Sequence, residues 1–526
     1  MKGVIKTVKR ALGVMLATAL TAGALGGFQY ESFDDYLKAL GIKDPTVYND
    51  DIFESTSSDD VYVTSQDVPA DKGQDSAASY TDAGAETPGI GKATDGTNPD
   101  VAGGESGTDI TTPKGTGAAT PSSADAATTS VAPGHEGKEQ ATNEAPADAT
   151  IAPGYKKANE TDLDDKMKAA RVAIGLTDEG IANLKNKQKG LYAYDRLTDS
   201  GQTLYVEILT ILNTLSKDII VSTTSDEAIE LVFDYVMADH PEIFYVDGYQ
   251  YTNYSVGDTI TKISFTGNYL YDANEVARRQ TQINDGVARC LAGAPSSEDD
   301  YYVIKYIYEY LIANIEYDVN APDNQNICSV FINGRSVCNG YAKAAQLLLN
   351  KLGIPSTLVT GTVDTKNANG VRHAWNLVLC NNTYYYLDVT WGDASYQTVS
   401  GESADASKLP DVNYDYLNVS TQEISRNHSI SDIIRMPACN SMNDNYYVRE
   451  DEYFNMAELA LVAELFDRRY KDGSKNVTIK CATDGVYNEL FAQLITDRKV
   501  FDYLQGDTSQ VSYTTFEDTR TIIFWL

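Results

Sequence analysis

The chain has 526 residues, 42% of them hydrophobic, with 75 Asp and Glu against 42 Lys and Arg and a formal net charge of −33. That length allows two or three domains, and the acidic excess, with no basic cluster beyond the first ten residues, excludes nucleic acid as a partner. Six cysteines without a CxxC pair, alongside only four histidines, exclude a disulfide scaffold and argue against a zinc site, so no metal and no cofactor are expected.

Residues 1–27 open with the basic MKGVIKTVKR and continue with the small, apolar ALGVMLATALTAGALGG. A charged head, a short apolar stretch and the Ala22-Gly23-Ala24 site read as a secretory signal peptide. About 17 residues rich in Gly, Ala and Thr are marginal for spanning a bilayer. The expected location is therefore secreted or extracellular at the cell surface, with no stable membrane insertion after cleavage. Residues 28–160 form an acidic Ala/Ser/Thr/Gly-rich stretch typified by SSADAATTSVAPGHEGKEQ. Such a composition cannot bury enough apolar surface to offset its ordering entropy, and a disordered spacer is expected. The aromatic start of that stretch, 28–54, has the content for a short helix.

Residues 161–290 read as an N-terminal α/β accessory domain. GQTLYVEILTILNTLSKD has helical periodicity, IIVSTT reads as a strand, and SDEAIELVFDYVMADHP opens like a helix capped by Ser225. Two alternating runs around Gly257-Asp258 read as a hairpin. Residues 456–526 repeat the same order of helix, strand, helix and hairpin, and the separation from Val221 to Ile263 nearly equals that from Ile479 to Ile522. Two copies of one small α/β unit flanking the middle domain are the expectation.

The middle domain, 291–455, starts with a helix whose stripe of Val303, Ile304, Ile307, Leu311, Ile312 and Ile315 belongs to the core. SVCNGYAK follows at 336–343. Gly334 and the Cys-Asn-Gly tripeptide suggest a loop delivering Cys338 to the start of a helix over Ala342–Leu352, closed by Gly353 and Pro355. A thiol there meets unpaired backbone N–H groups and the positive end of the helix dipole, and both favour the thiolate. Gly340 and Ala342 lack bulk and would let a strand approach the sulfur.

A nucleophile needs a base and an orienting group. HAWNLVL and TYYYLDVTW read as two strands around a tight Asn-Asn turn. With an even number of loop residues, His373 and Asp388 project from one face, opposite or diagonal; a one-residue slip separates them. His373 is then the base, and Asp388 fixes its tautomer. The other histidines lack this relation: His135 lies in the spacer, His240 suits a helix end, and His428 falls in a polar loop.

These motifs together, C-x-G-Y-A at a helix start, H-A-W-N on one strand and D-x-T-W on the next, resemble the transglutaminase-like domain of bacterial secreted proteins, over about residues 297–395. The resemblance implies an α+β, papain-like core, a Cys-bearing helix packed on an antiparallel sheet, flanked by the two small α/β units. It implies Cys338 as nucleophile, His373 as base and acid, Asp388 as orienter, and acyl transfer or hydrolysis of peptide or protein amides through a thioester. The partner is then a protein or peptide substrate, with cell-wall peptide among the candidates. The oxyanion would take the Cys338 N–H and a second donor, Tyr317 or Gln325. Trp375 and Trp391 would wall the acyl site or pack the core, Asn376 would support the site or satisfy backbone, and Arg335 would bind an acidic substrate group or stand as a solvated charge. A non-enzymatic adhesion or scaffold module and a stem-peptide amidase of peptidoglycan are the alternatives.

Overall fold

The computed structural model describes residues 61–69, 163–365, 368–393, 410–506 and 510–526. The expected signal peptide, His135 and nearly all of the expected spacer lie outside these residues. Within the spacer, residues 61–69 differ from expectation. VYVTSQDVP forms a strand, β1 (Val61–Pro69), paired antiparallel to β3 (Val246–Val256) from Val61↔Val256 to Pro69↔Gly248. Its run of Val, Tyr, Val and Thr has β propensity that the surrounding Ala, Gly and Ser lack.

The helices of the N-terminal part begin where a short polar side chain can take a free N–H. Asp164, Thr177, Thr198 and Ser225 cap α1 (Asp165–Ala173), α2 (Asp178–Gln188), α3 (Asp199–Asn213) and α4 (Asp226–Asp239). Asp272 and Asp299 cap α5 (Ala273–Leu291) and α6 (Asp300–Asn314) in the same way. Strand β2 (Ile219–Ile220) pairs with β4 (Thr259–Tyr269), and β4 with β3, so the first sheet runs β1-β3-β4-β2. All six apolar residues of the α6 stripe are buried.

Next come the two-residue parallel strands β5 (Glu316–Tyr317) and β6 (Arg335–Ser336), then α7 (Cys338–Lys351). A second sheet follows, ordered β10-β7-β8-β9, from β7 (Ser356–Val363), β8 (Val371–Cys380), β9 (Thr383–Leu387) and β10 (His428–Ile430), all antiparallel. Helix α7 packs on β7 and β8. The short helices α8 (Thr421–Ile424) and α9 (Tyr446–Arg449) lie beyond β9 in sequence. The N-terminal part and the middle part share one continuous core from Ile174 to Tyr447, so the boundary placed at 290/291 is no break in packing. Gln346 on the back of α7 donates to the Ala238 carbonyl at the end of α4 (2.6 Å), which ties the two parts directly.

A second core does exist, but it begins before the boundary placed at 455/456, between Tyr447 and Phe454. The C-terminal unit holds its own cluster, including Phe454, Phe466, Ile479, Leu490 and Phe524. Helices α10 (Leu459–Lys471) and α11 (Asp484–Phe491) pack there with the sheet β11-β12-β14-β13, from β11 (Tyr453–Phe454), β12 (Asn476–Cys481), β13 (Tyr513–Phe516) and β14 (Thr521–Trp525). The adjacency β12-β14-β13 repeats β2-β4-β3. The matching separations have a concrete origin: the Val221 N–H bonds the Ile263 carbonyl (3.0 Å), and Ile479 faces Ile522 across β12 and β14. The copies differ in their fourth strand, which joins β3 in one and β12 in the other.

Candidate active site

Cys338 is the first residue of α7, preceded by Val337 in an extended conformation. The helix thus begins four residues before the expected Ala342, and the sulfur sits on its first turn. There the backbone N–H groups have no intrahelical acceptor and the dipole is positive. The left-handed Gly334 (φ 68°) turns the chain into β6 just ahead of it. Gly340 does not serve the sheet as expected. A Cβ on it would lie 1.9 Å from Ser336 Oγ, 2.8 Å from Ser329 Oγ and 3.1 Å from the Asn324 carbonyl oxygen. Its missing side chain admits the loop that leads into the cysteine. The sheet is instead tied to the first turns of α7 by Asn376, whose Nδ2 donates to the Ala342 carbonyl (3.0 Å).

His373 lies on β8 and Asp388 just past β9. The loop between these strands is Asn381-Asn382, both left-handed (φ 48° and 65°), which is the two-residue turn that matches strand twist. Cys380 pairs with Thr383 and Asn376 with Leu387; one more step places Asp388 across from Trp375, diagonal to His373 on the same face. The contact is direct: His373 Nε2 donates to Asp388 Oδ2 at 2.7 Å. The other ring nitrogen, Nδ1, is left to meet the thiol, and the sulfur is hydrogen-bonded by the His373 side chain and the Ala374 N–H. Cys338, His373 and Asp388 are each no more than 2% exposed.

Burial by itself would raise the thiol pKa; the His373 charge and its hydrogen bond outweigh that and hold Cys338 below its ordinary value. Burial would likewise lower His373, but Asp388 and the sulfur push it up to about 10. Asp388 stays well below the usual carboxylate range, because the two histidines facing it overcome its desolvation. The combination favours a thiolate–imidazolium pair. The other five cysteines are free and buried, and desolvation raises them all, Cys328 to about 11 and Cys290 to about 12.

One further residue of the site was misplaced by the sequence reading. His428 is the first residue of β10, not part of a polar loop; it pairs with Val363 and is fully buried. Its Nε2 lies 3.0 Å from Asp388 Oδ2, the oxygen already bonded to His373. Asp388 Oδ1 accepts from the Thr390 and Trp391 N–H groups (2.9 and 3.2 Å). Trp375 and Trp391 are buried and pack their rings on both imidazoles, each 5.0 Å from His428. Among the described residues, His373, Asp388 and His428 form the one cluster whose donor atoms, within 4.8 Å of one another, are close enough to share a metal ion. A cation there would have to replace both N–H donors on Asp388 Oδ2.

The remaining expected residues divide. Gln325 reaches the helix start, accepting from Asn339 Nδ2 (3.3 Å), whereas Tyr317 is buried in β5. The Gln325 carbonyl also takes Lys343 Nζ (3.3 Å), an amine whose pKa burial lowers to about 8. Arg335 pairs with Asp318 (2.7 Å) at the surface. His240 caps the end of α4. Behind Asp388, its N–H donates to the Tyr416 carbonyl (3.0 Å). Neighbouring Asp415 is clamped by the C-terminal unit through buried Lys480 (2.9 Å), Thr519 (2.5 Å) and Thr521 (2.6 Å).

Residues 289–389 match the family model of the Transglutaminase-like superfamily, a stretch that contains Cys338, His373 and Asp388 and ends before His428. The chain therefore carries a transglutaminase-like domain. No curated protein matches it. Among solved structures, it is similar to a TGase at 18% identity over 28% of this chain and 44% of that one (TM-score 0.20). It is also similar to a candidate cysteine protease from Cytophaga hutchinsonii at 16% over 26% and 56% (TM-score 0.19). A third is the periplasmic domain of TgpA from Pseudomonas aeruginosa, at 11% over 30% and 75% (TM-score 0.19). This chain spans about half the length of the first two. Among the described residues, no helix is long and apolar enough to cross a membrane.

Proposed function

We propose that this protein is a cysteine acyltransferase or hydrolase that acts on peptide or protein amides through a thioester on Cys338. The observation that carries the reading is the unbroken chain from the helix-start thiol through His373 to Asp388, with a 2.7 Å bond at its far end and the sulfur held below its ordinary pKa. In this reading the thiolate attacks the amide carbon, and the imidazolium donates from Nδ1 to the departing nitrogen. His373, now neutral, takes a proton from the amine or water that resolves the thioester, while Asp388 keeps Nε2 protonated throughout. The Cys338 N–H and the Gln325 amide are the proposed oxyanion donors. Export, by the segment at 1–27, belongs to the same reading; amino-terminal sequencing of the mature protein that begins at Met1 would contradict it.

The test incubates the protein with a labelled glutamine peptide, a primary amine and cell-wall fragments, followed by mass spectrometry. A product that gains the amine identifies a transferase, and one that gains water a hydrolase. Both should vanish in Cys338→Ala. Turnover that survives that substitution would refute the assignment, and a wild type that modifies none of these amides would favour the scaffold alternative.

A further inference from the structure

The acyl-transfer scheme gives no role to His428. Its side chain has no exposure, yet it points at the one carboxylate oxygen that orients His373. A carboxylate oxygen only accepts, so both Nε2 atoms facing Asp388 Oδ2 carry hydrogen. With Oδ1 held by two backbone N–H groups, the carboxylate has four donors, and His428 is the only side chain among them besides His373.

The far side of the His428 ring is also built. Nδ1 lies 2.6 Å from Asn427 Oδ1, and Asn427 Nδ2 donates to Tyr416 Oη at 2.7 Å; the two ends of an amide are interchangeable in shape, so the site admits both orientations. With the amide nitrogen turned to the ring, a neutral His428 carrying its hydrogen on Nε2 satisfies every member: Tyr416 O–H donates to the amide oxygen, the amide to Nδ1, and Nε2–H to Asp388. Turned the other way, the ring needs hydrogens on both nitrogens and a positive charge. Burial holds His428 below its ordinary pKa, against the pull of Asp388, and so favours the neutral network.

We propose, resting on the acyl-transfer reading, that His428 is a positioning residue: its Nε2–H fixes Asp388 so that His373 presents Nδ1 to Cys338. Without that donor Oδ2 is held by His373 alone, so the carboxylate can tilt about Oδ1, which the Thr390 and Trp391 N–H groups still hold, and the imidazolium loses its register with the sulfur.

The experiment follows the rate of Cys338 alkylation by iodoacetamide against pH in the full chain. His428→Phe keeps a ring and removes the donor; His428→Gln is smaller but returns an amide N–H near the place of Nε2. The wild type should alkylate at a plateau through neutral pH. His428→Phe should lower that plateau about 10- to 100-fold and move its rise toward the ordinary thiol range, and His428→Gln should recover at least part of both. A packing role predicts the reverse order, with Phe tolerated and Gln not. A Phe profile that superposes on wild type, or a Gln variant no better than Phe, would overturn the proposal. Should His428→Phe not fold, imidazole nitrogen NMR of the wild type decides: the proposal requires hydrogen on Nε2 of His428 at neutral pH, and a ring with a bare Nε2 would overturn it. A wild type whose Cys338 reacts no faster than Cys380 would bring down the acyl-transfer reading and this inference together, whereas a wild-type plateau shared by the Phe variant removes the role of His428 alone.

Discussion

Gly340→Ala tests how tightly the approach to the nucleophile is packed. On an open helix surface this change would stabilise by up to about 1 kcal/mol, because alanine is the better helix former. Here the new Cβ would fall 1.9 Å from Ser336 Oγ, and that hydroxyl has nowhere easy to go. It shares a 2.6 Å hydrogen bond with Ser329 Oγ and donates to the Asn324 carbonyl at 3.2 Å. Overpacking of this kind costs about 1–3 kcal/mol, and one buried hydroxyl left without its partner about 1–3 more. Subtracting the helical gain leaves a net loss of about 3 kcal/mol, or a melting midpoint lower by roughly 6–12 °C at about 2–4 °C per kcal/mol. Gly485→Ala, on the first turn of α11, is the matched control. Its Cβ would meet nothing closer than Thr483 Oγ1 at 3.7 Å, so it should be neutral or slightly stabilising. Differential scanning calorimetry compares the two. If Gly340→Ala melts at or above the wild-type temperature, the packing assigned to the Ser329–Ser336 loop is wrong.

Three further outcomes are expected. Asn382→Ala should cost about 1 kcal/mol in chemical denaturation, because the left-handed turn (φ 65°) suits alanine poorly, while Asn382→Gly should be near neutral; equal costs would contradict the turn geometry. Lys480→Met strands buried Asp415 without its cation, so a loss of about 3–5 kcal/mol is expected, with most of it recovered in the Lys480→Met, Asp415→Asn double variant; no recovery would mean the pair is not what joins the C-terminal unit to the segment behind Asp388. His373, raised to about 10 in the folded protein from an ordinary value near 6.5, contributes stability that is fully present below the ordinary value and lost as pH rises through about 10. Unfolding curves should therefore show wild type losing its advantage over His373→Ala across that alkaline window; an advantage unchanged above pH 10 would contradict the ion pair.

Local chemistry made much of this site readable. Asn381-Asn382 announced a two-residue hairpin, and an even loop was enough to put His373 and Asp388 on one face. The nearly equal separations of Val221 from Ile263 and Ile479 from Ile522 correspond to cross-strand contacts in both small sheets. Long-range pairing was not legible. His428 sits on a strand of three residues whose partner, β7, lies more than sixty positions earlier, and SRNHSIS carries no alternation long enough to show a buried face. The role of Gly340 was inverted for the same reason. Its missing side chain signalled a close approach, but which segment approached depended on how Asn324, Ser329 and Ser336 fold back over α7.

The central claim is that Cys338 is the activated thiol of this chain, and competitive labelling measures it most directly. A limiting amount of iodoacetamide at neutral pH, followed by peptide mass spectrometry, ranks Cys338 against Cys380, another buried cysteine that desolvation pushes far up. Cys338 should take nearly all the label despite its burial, and His373→Ala should abolish that preference by removing the cation that stabilises the thiolate. Equal labelling of the two cysteines, or a preference that persists without His373, would contradict the account.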